Sequence, residues 1–97
     1  MSAAEAPPKV VALVCTFFGD PKEYAMQLDE ANLRVLSFGH SSDMKTTKAN
    51  EHEITFKFNV ENHAFEGTFI RSTNGVIISA GNVATIGRCH AVSNKTG

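Results

Sequence analysis

The sequence predicts an all-β fold, a small antiparallel meander of seven to eight strands that closes, or nearly closes, into a barrel. Polar and apolar residues alternate from Glu53 to Val60, as they do in a strand with one buried face. Short apolar runs are separated by turn sequences such as Asn74-Gly75, and no segment is long enough for a crossover helix. In a chain of 97 residues, so many antiparallel strands remove their exposed edges most economically by closure. A two-sheet β-sandwich is the alternative.

The first third of the chain predicts a long strand followed by a hairpin. Residues 10–18 are apolar on both faces, which indicates a central or barrel-closing strand, and residues 19–21 end it with turn-forming side chains. From Tyr24 onward apolar residues recur at every second position, so we predict a hairpin that turns at residues 29–32. Because an Asp-Pro pair precedes this segment, a helix over residues 21–36 is the alternative.

The rest of the chain predicts a loop followed by more strands. Residues 38–43 are a loop by composition, and Gly67 is predicted to form a bulge or bend. Further strands are predicted around residues 44–50, 53–60, 65–69, 76–79 and 83–89. We expect residues 9–92 to form one domain, residues 1–8 a disordered N-terminal segment and residues 93–97 a frayed tail.

The two cysteines lie near opposite ends of the chain, Cys15 in the first predicted strand and Cys89 in the last. An even count, with one cysteine in each terminal strand, is typical of a bridge that fastens the ends of a small exported domain. Those strands would be neighbours in a closed meander. We therefore predict a disulfide and a periplasmic or secreted location; the alternative is a pair of buried reduced thiols.

Composition and charge exclude several classes of protein. The formal net charge is −1, and no basic cluster is present, so we predict no nucleic-acid partner. The longest apolar run, residues 10–18, is far shorter than the roughly 20 residues of a membrane helix. We therefore predict no membrane insertion. We predict no signal peptide in this sequence and expect its Ala/Pro-rich start to be a mature N-terminus; the alternative is an ordinary cytoplasmic terminus. The lysine-bearing edge at residues 44–50 suggests a monomer or a weak dimer.

Catalytic and metal-binding patterns are missing from the sequence. The four histidines lack the short paired spacing of a zinc site, and we predict neither a cofactor nor a metal. One loop contains several polar side chains, but no rigid scaffold holds a nucleophile and a base together there. We interpret it as a candidate partner-binding loop, and we interpret the aromatic residues as core packing. The loop residues are Gly39, His40, Ser41, Ser42 and Asp43.

Four short motifs carry a resemblance to known proteins: Cys15, Asp29-Glu30-Ala31-Asn32, Arg71-Ser72-Thr73-Asn74-Gly75 and Gly87-Arg88-Cys89. With them the chain resembles a loose group of small exported bacterial β-proteins of unknown function, departing from the group by the inserted Asn74. This resemblance implies export and a disulfide, with no assigned activity. In size and strand density the chain is also similar to bacterial lysozyme-inhibitor barrels. Their inhibitory Ser-Gly…Tyr loop is not matched, because Ser37-Phe38-Gly39 and Tyr24 occur in the opposite order.

Together these observations predict an exported, non-enzymatic β-barrel module that binds an unknown protein or small ligand through its loops or its barrel mouth. The alternative is a periplasmic inhibitor of a hydrolase such as lysozyme, which would insert residues 39–43 into the cleft of the enzyme.

Overall fold

A computed structural model of the chain describes residues 7–92, and all regular structure in that range is β-strand. The predicted tail at residues 93–97 and most of the predicted N-terminal segment lie outside the described residues. The strands are β1 (Val10–Phe17), β2 (Asp20–Asp29), β3 (Arg34–Phe38), β4 (Ser42–Ala49), β5 (Glu53–Val60), β6 (His63–Ile70), β7 (Gly75–Ala80) and β8 (Val83–Ala91).

The eight strands form one antiparallel sheet in the order β3-β2-β1-β8-β7-β6-β5-β4. The first and last strands are therefore neighbours, and the sheet curls until its two outermost strands, β3 and β4, come together. At this seam the Val35 N–H donates a hydrogen bond to Thr46 Oγ1 at 3.2 Å, but no strand ladder joins β3 to β4. The predicted antiparallel meander, nearly closed into a barrel, is confirmed. The helix alternative over residues 21–36 is wrong, since these residues form β2, its turn and part of β3.

The connections lie alternately at the two ends of the barrel, as an antiparallel meander requires. One end, called here the loop end, carries the connections at residues 18–19, 39–41, 61–62 and 81–82. The opposite end, called the terminal end, carries the other three connections, the start of β1 and the end of β8.

Two local predictions differ from the structure. The turn expected at Asn74-Gly75 lies one residue earlier, at residues 71–74. Asn74 takes the left-handed conformation with φ of 59°, which its short polar side chain tolerates, and Gly75 begins β7. Gly67 forms no bulge, because it pairs regularly with its neighbours on β5 and β7. A Cβ at Gly67 would lie 2.7 Å from Cε2 of Phe56, so the glycine makes room for a core ring.

The core fills the barrel with the inward-facing side chains of its strands. Because successive side chains of a strand point to opposite faces, every second residue contributes. The buried apolar residues are Leu13, Cys15, Phe17, Met26, Leu28, Val35, Phe38, Ile54, Phe56, Phe58, Phe69, Val76, Ile78 and Cys89. This core includes both cysteines.

A disulfide joins Cys15 to Cys89 across the pairing of the first and last strands, as predicted. The two residues are direct register partners of β1 and β8, with their Cα atoms 3.9 Å apart. Three pairs along this ladder, the Val92 N–H donates a hydrogen bond to the Ala12 carbonyl. Because hydrogen-bonded and non-hydrogen-bonded pairs alternate along an antiparallel ladder, the bridge spans a non-hydrogen-bonded pair, where opposing side chains are closest. Such a bond is compatible with an oxidising compartment.

Candidate functional site

A cavity of about 280 Å³ opens at the loop end of the barrel. All strands except β4 contribute to its wall. Nine residues line it: Phe17, Asp20, Tyr24, Phe38, Phe58, Val60, Phe65, Ile78 and Thr85. Five of these nine side chains are aromatic, and the wall is otherwise aliphatic except at Asp20 and Thr85.

The aromatic rings form a continuous chain around the wall. Tyr24 stacks on Phe38, with ring centroids 5.8 Å apart and an interplanar angle of 6°. Phe17 meets Tyr24 edge to face at 5.4 Å, and Phe38 contacts Phe58 at 5.5 Å. Phe58 in turn stacks on Phe65 at 5.5 Å. Offset and edge-to-face pairs of this kind hold rings in fixed orientations, so the cavity has a defined aromatic surface.

One carboxylate, that of Asp20, is the single charged group in this wall. Its Oδ1 accepts a hydrogen bond from the backbone N–H of Lys22 at 2.9 Å, and its Oδ2 accepts one from the Tyr24 hydroxyl at 3.0 Å. The Lys22 N–H first, and the Tyr24 hydroxyl second, lower the pKa of Asp20 below its ordinary value. The same hydrogen bond raises the pKa of Tyr24. At neutral pH, Asp20 is therefore an anion and Tyr24 a neutral donor.

The β3–β4 loop begins beside this aromatic wall. Phe38 ends β3 and enters the wall, and Gly39 follows with φ of 56°. A Cβ at Gly39 would lie 3.5 Å from Cδ2 of Tyr24, so the loop lies against the tyrosine ring. The Gly39 N–H donates a hydrogen bond to the Ala25 carbonyl at 2.7 Å, which ties the loop to β2.

The predicted partner loop of residues 39–43 is shorter in the structure. Gly39, His40 and Ser41 connect the strands, whereas Ser42 and Asp43 already belong to β4. Ser42 is the register partner of Asn59 on β5, and Asp43 lies at the irregularity that follows this pair. Asp43 Oδ2 accepts a hydrogen bond from Asn59 Nδ2 at 2.9 Å. None of these five residues lines the cavity.

The aromatic residues were predicted to pack the core, and this interpretation missed the cavity wall. A signal was nevertheless present in their positions. Phe17 and Phe38 directly precede loop-end connections, while Phe58 and Phe65 lie three residues before and after the connection at 61–62. Aromatic residues that gather at the same end of successive strands indicate a lined barrel mouth.

A different arrangement occupies the terminal end, where the Asp29 carboxylate is fully buried. It accepts hydrogen bonds from the Asn32 side chain at 2.9 Å and from the backbone N–H groups of Lys9, Ala31 and Asn32. Arg34 Nε lies 3.4 Å away. These hydrogen bonds, that from Asn32 first, lower the pKa of Asp29. Because every donor belongs to the turn or to the entry of β1, we interpret Asp29 as a structural cap.

Residues 7–92 hold no group of three His, Cys, Asp or Glu side chains placed to bind a metal. Within the same range there is no helix of the length and hydrophobicity needed to cross a membrane. In comparisons with protein-family models, curated proteins and solved structures, nothing matches this chain.

Proposed function

We propose that this protein is an exported, non-enzymatic β-barrel module that binds a small apolar ligand in the cavity at its loop end. The observation that carries the proposal is the aromatic wall around an open space of about 280 Å³. A fully packed core would leave no such space, since protein interiors reach crystal-like density.

The size of the cavity suits one small molecule. An apolar protein cavity of about 150 Å³ is large enough to bind benzene, and eight-stranded barrels have room for side chains or for a single small ligand. Burial of an apolar molecule against aromatic rings supplies the driving force. The ligand class is therefore a small molecule with an apolar body.

Two further observations support the rest of the proposal. The buried disulfide between Cys15 and Cys89 is compatible with export to an oxidising compartment. The nine lining residues include no imidazole, thiol or amine that could act with Asp20 as a nucleophile or base. These properties favour a binding module over an enzyme.

Tyrosine fluorescence tests the proposal directly. Tyr24 is the only tyrosine and the chain has no tryptophan, so ultraviolet fluorescence reports on the cavity wall alone. We expect hexan-1-ol to change this fluorescence with a saturable titration, and isothermal calorimetry to give the same affinity.

A cavity-filling variant provides the specific control. Val60→Phe would place a larger side chain in the cavity and should weaken hexan-1-ol binding by about tenfold or more. Val83→Phe adds the same bulk at an exposed site of the loop end and should leave the affinity unchanged. Absence of saturable binding by the wild-type protein, or equal binding by Val60→Phe, would contradict the proposal.

Inhibition of a hydrolase such as lysozyme stays a prediction from the sequence. The connection that would enter an enzyme cleft, residues 39–41, is short and is tied to β2, so the geometry does not favour it. Lysozyme activity measured with and without the protein tests this alternative.

A further inference from the structure

We propose that the cavity selects ligands that carry an ammonium group on their apolar body, with Asp20 as the counter-ion and the aromatic wall as the remainder of the cation site. This inference rests on the proposed function, because it names the class of ligand taken by the same cavity.

The charge of the wall favours a positively charged ligand. Asp20 is the one charged residue among the nine that line the cavity. None of the other eight carries a positive charge that could pair with its carboxylate. The nearby Lys22 side chain is exposed and is not part of the lining, although its charge, after the backbone hydrogen bond and the Tyr24 hydroxyl, contributes to lowering the pKa of Asp20. A bound cation would therefore meet an anion at a half-exposed position of the wall, where the attraction is screened by salt.

The Asp20 carboxylate also has unused hydrogen-bonding capacity. Its oxygens accept two hydrogen bonds, from the Lys22 N–H and the Tyr24 hydroxyl. An ionised carboxylate has about four acceptor positions. The Tyr24 bond also fixes the orientation of Asp20 toward the aromatic wall. Two acceptor positions thus remain for the N–H groups of an ammonium ligand, with the carboxylate already oriented.

An aromatic surface lies beside this carboxylate. Tyr24 and Phe38 are stacked with nearly parallel planes, and Phe17 packs edge-on against both rings. The negative face of an aromatic ring attracts a cation and repels an anion. A ligand seated against a ring face beside Asp20 would therefore find that both groups favour a positive charge.

Three probes with the same six-carbon body separate charge from apolar burial: n-hexylamine, hexan-1-ol and hexanoate. A simple amine titrates near the ordinary lysine value of about 10.4 and is a cation at neutral pH. Calorimetry at neutral pH and low salt should give an affinity for n-hexylamine about tenfold above that for hexan-1-ol. Hexanoate should bind most weakly. Added salt should weaken amine binding and leave alcohol binding unchanged.

Asp20→Asn tests the role of the carboxylate. This variant keeps a side-chain oxygen that can accept the Lys22 or Tyr24 hydrogen bond, so we expect it to fold, which circular dichroism and a thermal melt would check. It should abolish the preference for the amine over the alcohol. The matched control is Glu61→Gln, which removes an exposed negative charge at the same end of the barrel but outside the cavity. It should retain the preference.

The outcomes distinguish this inference from the proposed function. Equal binding of amine and alcohol to the wild-type protein would overturn the ammonium inference and leave the binding function intact. Loss of amine preference in both Asp20→Asn and Glu61→Gln would also overturn it, because the preference would then reflect overall charge. Failure of all three probes to bind would overturn both proposals. The wild-type series decides the question even if Asp20→Asn does not fold.

Discussion

Reduction of the Cys15–Cys89 disulfide should remove a large part of the stability of this protein. The bridge closes a loop with a sequence separation of 74 residues, for which the chain-entropy relation gives about 15 cal/mol/K, or about 4.4 kcal/mol at 25 °C. A domain of 97 residues is typically stable by about 5–15 kcal/mol. Reduction is therefore expected to remove between about a third and nearly all of this stability.

Reduction isolates this effect better than substitution does. The sulfur atoms stay in the core, where free cysteines behave as small apolar side chains, so packing changes little. Since both cysteines are buried, the protein should be reduced while unfolded and then refolded with the reductant present. Urea unfolding followed by circular dichroism would give the free energies of the oxidised and reduced forms.

The same magnitude can be expressed as a melting temperature. An unfolding entropy of about 2.1 cal/mol/K per residue over 97 residues amounts to about 0.2 kcal/mol/K. A loss of about 4.4 kcal/mol therefore corresponds to a fall of about 20 °C. A shift of only a few degrees would refute this reasoning, as would an intact mass showing two alkylated thiols in the unreduced, denatured protein. The control is the double variant Cys15→Ala/Cys89→Ala, whose stability should not respond to the reductant.

Three further predictions concern single side chains. Gly67→Ala should lower the unfolding free energy by about 1–3 kcal/mol in urea titrations, because the added methyl would overlap a buried ring; an unchanged midpoint would contradict this. Hydrogen bonds, that from Asn32 first, lower the folded pKa of Asp29 below its ordinary 3.8, so its contribution to stability is present above that pH and is lost as the pH falls through the folded value. Asp29→Asn should accordingly flatten the acid dependence of the urea midpoint, and an undiminished slope would refute the assignment. The ultraviolet titration of Tyr24 should have its midpoint above 10.0 because of the bond to Asp20, and Asp20→Asn should bring the midpoint back toward that value.

The fold could be predicted from the sequence because its signals are local and repeated. Alternation along residues 53–60 matches β5 closely, with Ile54, Phe56 and Phe58 buried. The closed meander predicted the pairing of β1 with β8, and the position of one cysteine in each terminal strand agreed with it. Alternation determines which face of a strand is buried, and turn residues limit where a strand ends. Together these leave few arrangements of the sheet.

The cavity could not be predicted in the same way, since an inward-facing aromatic residue has the same sequence pattern whether it fills space or lines it. Phe56 is fully buried in the core and Phe65 lines the opening, yet both lie at apolar positions of alternating strands. The difference depends on which residues face them across the barrel. Asp20 was similarly assigned to a turn. Its bond to Tyr24, four residues along the same strand, lies where the pairing of β1 with β2 is irregular, and alternation along a sequence does not predict such an irregularity.

The seam between β3 and β4 has a consequence for how this chain could be rearranged. The ladder is continuous everywhere except at the two strands joined by residues 39–41, whereas the natural ends of the domain are hydrogen-bonded neighbours. A circular permutant that joins those ends by a linker and opens at His40 would run through the strands in the order of the sheet. Every ladder would then be a hairpin of adjacent segments, and the pairing of β1 with β8, now the most distant in the chain, would become local. Such a permutant should fold faster than the natural chain, because its contacts are closer in sequence.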